Sequence, residues 1–298
     1  MKRISSIFFI GLGFLMLAGN VQAQEPKAGA PDSSKTALDY KVEVYEKENI
    51  PFKTPIPYAY VREADVMFEK VIWRMVDLRE KRNMPLYYPT AKIGSRVNLV
   101  NLLLMGVENG EITAYDANDP NNEFVRPLNK EELNLQFGAK QDTIMVSDED
   151  GNMVPMPRNV ERQTEQVRKL LIKEKVYFDK KHSVLNRVVI GICPIRVYSR
   201  DDSGEDAEVT MVKTMWVYVP EARSVLARHP VFNRFNDAQN ISFDDFFMQN
   251  RYEGHIYAIS NVYNNRLISE YASGVDALYE AQRIENEIFD FEQDLWEY

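Results

Sequence analysis

Residues 63–89 read EADVMFEKVIWRMVDLREKRNMPLYYP, and how this stretch folds decides the rest. Ala64, Phe68, Val71, Met75 and Leu78 recur at steps of four, three, four and three, and Ile72 and Val76 widen that face. The spacing predicts an amphipathic helix packed on a core. Glu69, Lys70, Arg74, Asp77, Arg79, Glu80 and Lys81 fall mostly on the opposite side. Asn83 tolerates positive φ and can end the helix. Pro85 then blocks its resumption, so Tyr87, Tyr88 and Pro89 are expected to leave in an extended conformation.

Upstream, Lys2 and Arg3 precede a short apolar run over residues 7–18, and Val21-Gln22-Ala23 supplies a processing site. This is the pattern of a secretory signal, expected to be cut after Ala23. The run is short for a membrane span of ~20 residues. No Cys follows the cut, which argues against a lipoprotein. Removing Lys2 and Arg3 leaves 34 basic against 45 acidic residues, moving the formal charge from −9 to −11. So acidic a chain will not bind nucleic acid by counterion release and favours basic partners. The single cysteine, Cys193, lies in an apolar run and excludes an internal disulfide. It reads as a buried small hydrophobe. Residues 24–60 are expected to be a disordered tether passing into an arm held extended by Pro51, Pro55 and Pro57. That arm is either laid on its own body or handed to a neighbour.

Downstream, residues 61–298 read as a globular α+β region with a boundary candidate near 140–160. It is expected to have antiparallel sheet segments, packed helices and a long C-terminal helical segment. Residues 98–108 form a short apolar segment, helix or strand, before the turn signal Asn109-Gly110, and residues 111–115 alternate as a strand. Asn129 caps a short helix that stops at Gly138. Residues 141–158 read as a turn and a Pro-broken extension. Residues 161–179 are highly charged and are expected to begin as a solvated helix, becoming strand near Val176. Residues 185–198 and 209–219 are strand candidates joined by a polar hairpin loop, with Pro194 marking a bulge or an edge. Pro220 opens a helix with Val225 and Leu226 inward, and Ser242 caps another. Residues 255–262 alternate as a strand. Finally, Ala281, Ile284, Ile288, Phe291 and Leu295 trace one face of a closing helix that Gly274 bends or interrupts.

Chemical motifs are sparse. There is no phosphate-cradling glycine loop and no nucleophile elbow. His182, His229 and His255 are far apart, without metal-ligand spacing, and read as structural or solvated. The Asp and Asn residues of 116–123 invite a calcium reading but lack the glycine and terminal glutamate of an EF-hand. Carboxylates are abundant, yet nothing singles out a pair for glycoside hydrolysis. Trp73, Trp216 and Trp296, with sixteen tyrosines, could line a carbohydrate groove. Core packing is the default for Trp73 and Trp216. No catalytic, cofactor or metal residue is assigned.

One resemblance adds what spacing cannot. Trp73-Arg74-x-x-Asp77-Leu78-Arg79-Glu80-Lys81-x-Asn83-x-Pro85-Leu86-Tyr87-Tyr88-Pro89 resembles the signature of the GldN/PorN family. The likeness continues through residues 110–116, Ile190-Gly191-Ile192-Cys193-Pro194 and Trp216-x-Tyr218. Near the end it takes in Phe232-Asn233, Asn236-Asp237-Ala238, Phe243-Asp244-Asp245-x-Phe247, Ser260-Asn261-Val262-Tyr263 and residues 291–298. Membership would imply a non-enzymatic structural component of a periplasmic ring, part of the type IX secretion system of Bacteroidetes and of gliding motility where present. The partners implied are a GldK/PorK-type outer-membrane lipoprotein, the GldM/PorM-type motor-coupling protein and further copies of the chain. Tyr87, Tyr88, Trp296 and Tyr298 are the expected interface residues. The competing readings are an exported glycan-acting hydrolase and a carbohydrate-binding module.

Overall fold

The stretch expected to be helical is the second strand of a seven-stranded sheet. The computed structural model describes residues 52–94, 96–118, 123–147, 153–199, 209–233, 236 and 241–294, with backbone only for 140–159. In it β1 is Val66–Asp77. Phe68 and Ile72 project to one face, Val71 and Met75 to the other, because side chains alternate along a strand. Ile72, Trp73, Arg74, Met75 and Val76 are all buried. A strand covered on both faces reads as a continuous apolar run, which periodicity alone cannot distinguish from a helix. The helix expected there is therefore wrong, and so is the solvent-facing position it gave Arg74. Only a 3-10 turn at Glu63–Asp65 and the four-residue α1, Met84–Tyr87, with Pro85 in its first turn, are helical, so Tyr87 does not leave in an extended conformation.

The charged run 161–179 is corrected in the same way. Its body is β5, Val167–Asp179, which pairs antiparallel with β1 along nearly its whole length. The next strand, β6 (Val184–Ser199), pairs with β5 on its other side. The remaining members are β2 (Ala114–Tyr115), β7 (Val209–Lys213), β8 (Trp216–Tyr218) and β11 (His255–Ile259). Their order is β11-β1-β5-β6-β8-β2, with β7 also on β6. Pro194 sits where the outer neighbour of β6 changes from β8 to β7, and Thr214 donates to its carbonyl from both backbone and hydroxyl. A residue without an N–H is tolerated at such a break. The stretch 141–158, expected to be a turn and an extension, holds both halves of a hairpin, β3 (Lys140–Ser147) against β4 (Met153–Val160). Two short strands, β9 (Pro230–Val231) and β10 (Ile241–Ser242), pair separately.

Helices follow their local signals more closely. Asn98 accepts from the Asn101 N–H and starts α2, Leu99–Glu108. Asn109-Gly110 ends that helix rather than turning a hairpin, and only Ala114 and Tyr115 of the expected strand pair. The capping box of Asn129 and Glu132 opens α3, Lys130–Gln136, and Gly138 follows at φ +83°. A side chain there would also strike the Arg196 guanidinium, so only glycine fits. Next come α4 (Val219–Ala227) and α5 (Phe243–Met248), the latter capped by Ser242. The long helix α6, Val275–Asp294, begins directly after Gly274; of the helical segment expected from Arg266 onward, only the 3-10 turn Ile268–Glu270 precedes it.

Helices cover one face of the sheet. Toward one end, α2, α4 and α5 close over Val76, Leu170, Ile172, Ile192 and Val217. Toward the other, Ala281, Ile284 and Ile288 of α6 close over Ile72, Val176 and Ile256. Each buried isoleucine contributes roughly 1.5–3 kcal/mol. On the opposite face a loop brings Phe124 down onto Gly191, where any larger residue would collide with the ring. Phe124 adopts φ +63° to do so and meets Trp216 and Tyr218 edge-on. Glu123 beside it accepts from Trp73 Nε1 at 2.7 Å and pairs with Lys173.

Between the two apolar groups on the helix-covered face lies a buried ionic cluster. Arg74 and Glu174, diagonal neighbours on β1 and β5, pair at 3.1 Å. Tyr252 donates to Glu174 Oε1 at 3.0 Å, and Arg187 approaches Oε2 at 3.6 Å. Arg74 Nη1 donates to the Gly254 carbonyl at 2.7 Å and to Glu285 of α6 at 3.1 Å. Burial pulls Arg74 toward neutrality, but Glu174 and Glu285 outweigh it and hold the guanidinium charged. Burial and then the Glu174 carboxylate push the Tyr252 phenol well above its ordinary value, keeping it a donor.

Two outcomes follow. Arg74→Met strands Glu174 without its main partner and is expected to cost about 3–5 kcal/mol in urea unfolding, whereas Arg74→Met with Glu174→Leu recovers most of that loss. Cys193, fully buried with its thiol pushed up to about 12 by burial, is expected to resist iodoacetamide at pH 8 and to react once urea unfolds the chain.

Candidate docking surface

Nothing among the described residues converges as a catalytic centre would. Cys193 is enclosed, and no group of three His, Cys, Asp or Glu side chains is placed to share a metal ion among the described residues. His182 bonds Asp179 at 2.5 Å and His229 bonds the Val225 carbonyl at 2.9 Å. Burial, with Lys169 nearby, holds His255 below the usual histidine range. In the loop that invited a calcium reading, Asp116 accepts from Asn118 and Arg126. Trp73 and Trp216 are packed under Phe124 and line no groove. The sequence default for both was core, and they are core.

The expected interface residues separate into three situations. Tyr87 is a brace: its hydroxyl donates to the Glu165 carbonyl at 2.9 Å, and burial raises its pKa. Tyr88, edge-on to it with ring centres 4.9 Å apart, is exposed and free to meet a partner. Trp296 and Tyr298 lie outside the described residues, as do residues 1–51, where the expected signal and most of the expected tether fall. The structure therefore brings none of these four together as a patch beyond Tyr87 and Tyr88.

Sequence reasoning did anticipate the arm, and the end of it lies on this chain's own body. Arg223 of α4 forms two bonds to Asp244 of α5, at 2.8 and 3.0 Å. The same guanidinium donates to the Ile56 carbonyl and lies 4.2 Å above the Tyr58 ring. Lys53 reaches Asp245 and, at 3.5 Å, Ser242. Burial opposes ionisation of Asp245, but the Lys53 and Ser242 bonds hold its carboxyl below the ordinary range. Phe52, Ile56 and Tyr60 are left exposed, an apolar row supported from beneath by a charged clamp. The residues Phe243-Asp244-Asp245 thus have two duties: Phe243 fills the core, while Asp244 and Asp245 hold the clamp. Their part in the clamp carries no sequence signal, because Arg223 and Asp244 are separated by a strand pair and a loop.

A second surface feature escaped sequence reasoning. Between the start of β1, the loop following β11 and α6 lies a groove of about 550 Å³. Phe68, Ile284, Ile288 and Phe291 form its floor, with Phe68 and Phe291 4.3 Å apart. Arg266 is held over Tyr271 at 4.4 Å and Tyr263 at 5.6 Å, while Val262 and Tyr263 stand out into solvent at the rim. Glu280, Arg283 and Glu287 of α6 complete that rim as an ion-pair chain. An apolar floor with a charged rim is the make-up found at protein–protein contact surfaces.

Set beside known proteins, residues 61–297 match the model of the family described as gliding motility associated protein GldN. No curated protein matches the chain.

The clamp has a direct check. Lys53→Ala with Tyr58→Ala is expected to make residues 52–60 cleavable under limited proteolysis that spares them in the parent chain. The unfolding midpoint should change little, because Arg223 and Asp244 still pair.

Proposed function

This chain belongs to the GldN family of gliding motility associated proteins, and on that premise we propose that it is a non-enzymatic building block of a periplasmic ring. The ring is that of the type IX secretion system and, where the host glides, of its gliding machinery. The chain reaches the periplasm through its signal sequence, which is cut after Ala23, and lies against the inner side of the outer membrane. There it assembles with a GldK/PorK-type lipoprotein and with its own copies, and it contacts a GldM/PorM-type motor-coupling protein.

The observation that carries this reading is the extent of the family match, which takes in the whole body and leaves out only the first 60 residues and the last one. Three features support it physically. The buried Arg74–Glu174 cluster joins sheet and terminal helix, as suits an element that must transmit load. Apolar residues are displayed at separate places, on the arm at Phe52, Ile56 and Tyr60 and on the groove rim at Val262 and Tyr263, so more than one neighbour can be gripped. The strong acidity suits basic partners and is incompatible with a nucleic-acid role. A glycan-acting enzyme has less to stand on: Trp73 and Trp216 are enclosed, and Glu280 and Glu287 at the groove are already paired with Arg283.

Deleting residues 39–60 removes Phe52, Ile56 and Tyr60 while leaving the Arg223–Asp244 pair. That variant is expected to fold, judged by its circular dichroism and unfolding midpoint, and to form rings poorly when envelope complexes are isolated without crosslinking. The full chain should co-purify with a lipoprotein in fixed ratio. Recovery of the full chain from the envelope as a solitary monomer would overturn the ring, and normal rings from the deletion variant would overturn the role of the arm.

A further inference from the structure

Helix α6 has two apolar faces, and the body uses only one. Ala281, Ile284 and Ile288 are buried against the sheet. Viewed down the axis, the other face carries Val275, Leu278, Tyr279, Gln282, Asn286 and Phe289. Val275, Leu278, Tyr279 and Phe289 are 63 %, 54 %, 70 % and 58 % exposed. No charge interrupts this face, although α6 holds seven carboxylates and one arginine. At its centre Gln282 donates to Asn286 at 3.1 Å. Val275, Gln282 and Phe289 are seven residues apart, the spacing of a helix–helix seam, and a central amide is how such seams fix their register.

We propose that this face is a docking seam for a basic amphipathic helix of another polypeptide. The charges along its margins select that occupant. Asp276, Glu287, Asp290 and Asp294 run down one side, where the one basic residue, Arg283, is already paired with Glu280 and Glu287, and Glu285 and Glu292 run down the other. A second α6 laid on the seam would set margins that are mostly carboxylate against each other, with Arg283, held by its own helix's glutamates, as the single basic group. A helix with apolar residues at the same seven-residue spacing and Lys or Arg beside them would neutralise both while covering Phe289 and Leu278. From Val275 to Phe289 the seam extends about 21 Å, long enough for two heptads of such a partner. The inference stands on the helix itself, whatever assembly the chain enters.

The test uses the purified mature chain and a fluorescent 21-residue peptide with leucine at the two seam positions of each heptad and lysine elsewhere. A leucine–glutamate peptide of the same pattern is the control. Binding is read by anisotropy in 150 mM salt. The lysine peptide is expected to bind, Leu278→Ser with Phe289→Ser to weaken it at least tenfold, and Tyr88→Ser to leave it unchanged. Both altered positions of the double variant are exposed, so its circular dichroism should match the parent. Undiminished binding by the double variant, equal binding of the glutamate peptide, or Phe289-dependent dimerisation of the chain in sedimentation would each overturn the proposal.

Discussion

The Arg74–Glu174 pair is the constraint on which the remaining structure depends. It occupies the centre of the helix-covered face, between the apolar group under α2, α4 and α5 and the one under α6. Taking two charges out of water is costly, and the mutual attraction offsets that cost only if the remaining lone pairs and N–H groups find partners. Here Tyr252 and the Gly254 carbonyl, both from the segment before β11, with Arg187 of β6 and Glu285 of α6, provide most of them, while Glu174 Oε2 and Arg74 Nη2 make no hydrogen bond. The cluster forms only when β1, β5, β6, the segment leading into β11 and α6 are all in place. Its worth is therefore measured in specificity of arrangement more than in stability, the best-attested use of buried charge.

The same cluster explains how α6 can be firmly seated and still offer a face to a partner. Three buried apolar residues and one ionic tie hold it, the Phe68–Phe291 contact steadies its end, and the remaining circumference stays in solvent. The arm follows a similar plan. Its polar contacts point inward to Arg223, Asp244 and Asp245, and its apolar side chains point outward. In both places charge fixes position and apolar surface is left over, an arrangement expected of a protein that acts by contact. On the second face of the sheet the logic is reversed: Phe124 and Glu123 close over Trp73 and Lys173 and finish the core.

How far the sequence could be read depended on whether a feature was local. Caps at Asn129 and Ser242, the breaks at Gly138 and Gly274 and the amphipathic pattern of α6 lie within a few residues of their effects, so they were legible. The α+β class was legible for the same reason. The secondary structure of residues 66–77 and 167–179 was not. Doubly covered strands lose their alternation, and the charged residues Arg74 and Glu174 imitate the wet side of a helix. The partners that bury them lie 100 residues apart, a separation no periodicity reports.

By itself, the sequence determined composition, charge, the capped helices, the burial of Cys193 and, through long ordered likeness, membership of the GldN family. Only the tertiary structure decided that the opening stretch is a sheet strand, that the arm is clamped by Arg223, that Trp73 and Trp216 are enclosed and that α6 has an unused face. The physical reason is the same in each case. Whether a side chain meets solvent or protein depends on what the remote chain places over it, and that is a property of the assembled fold, not of neighbours in sequence.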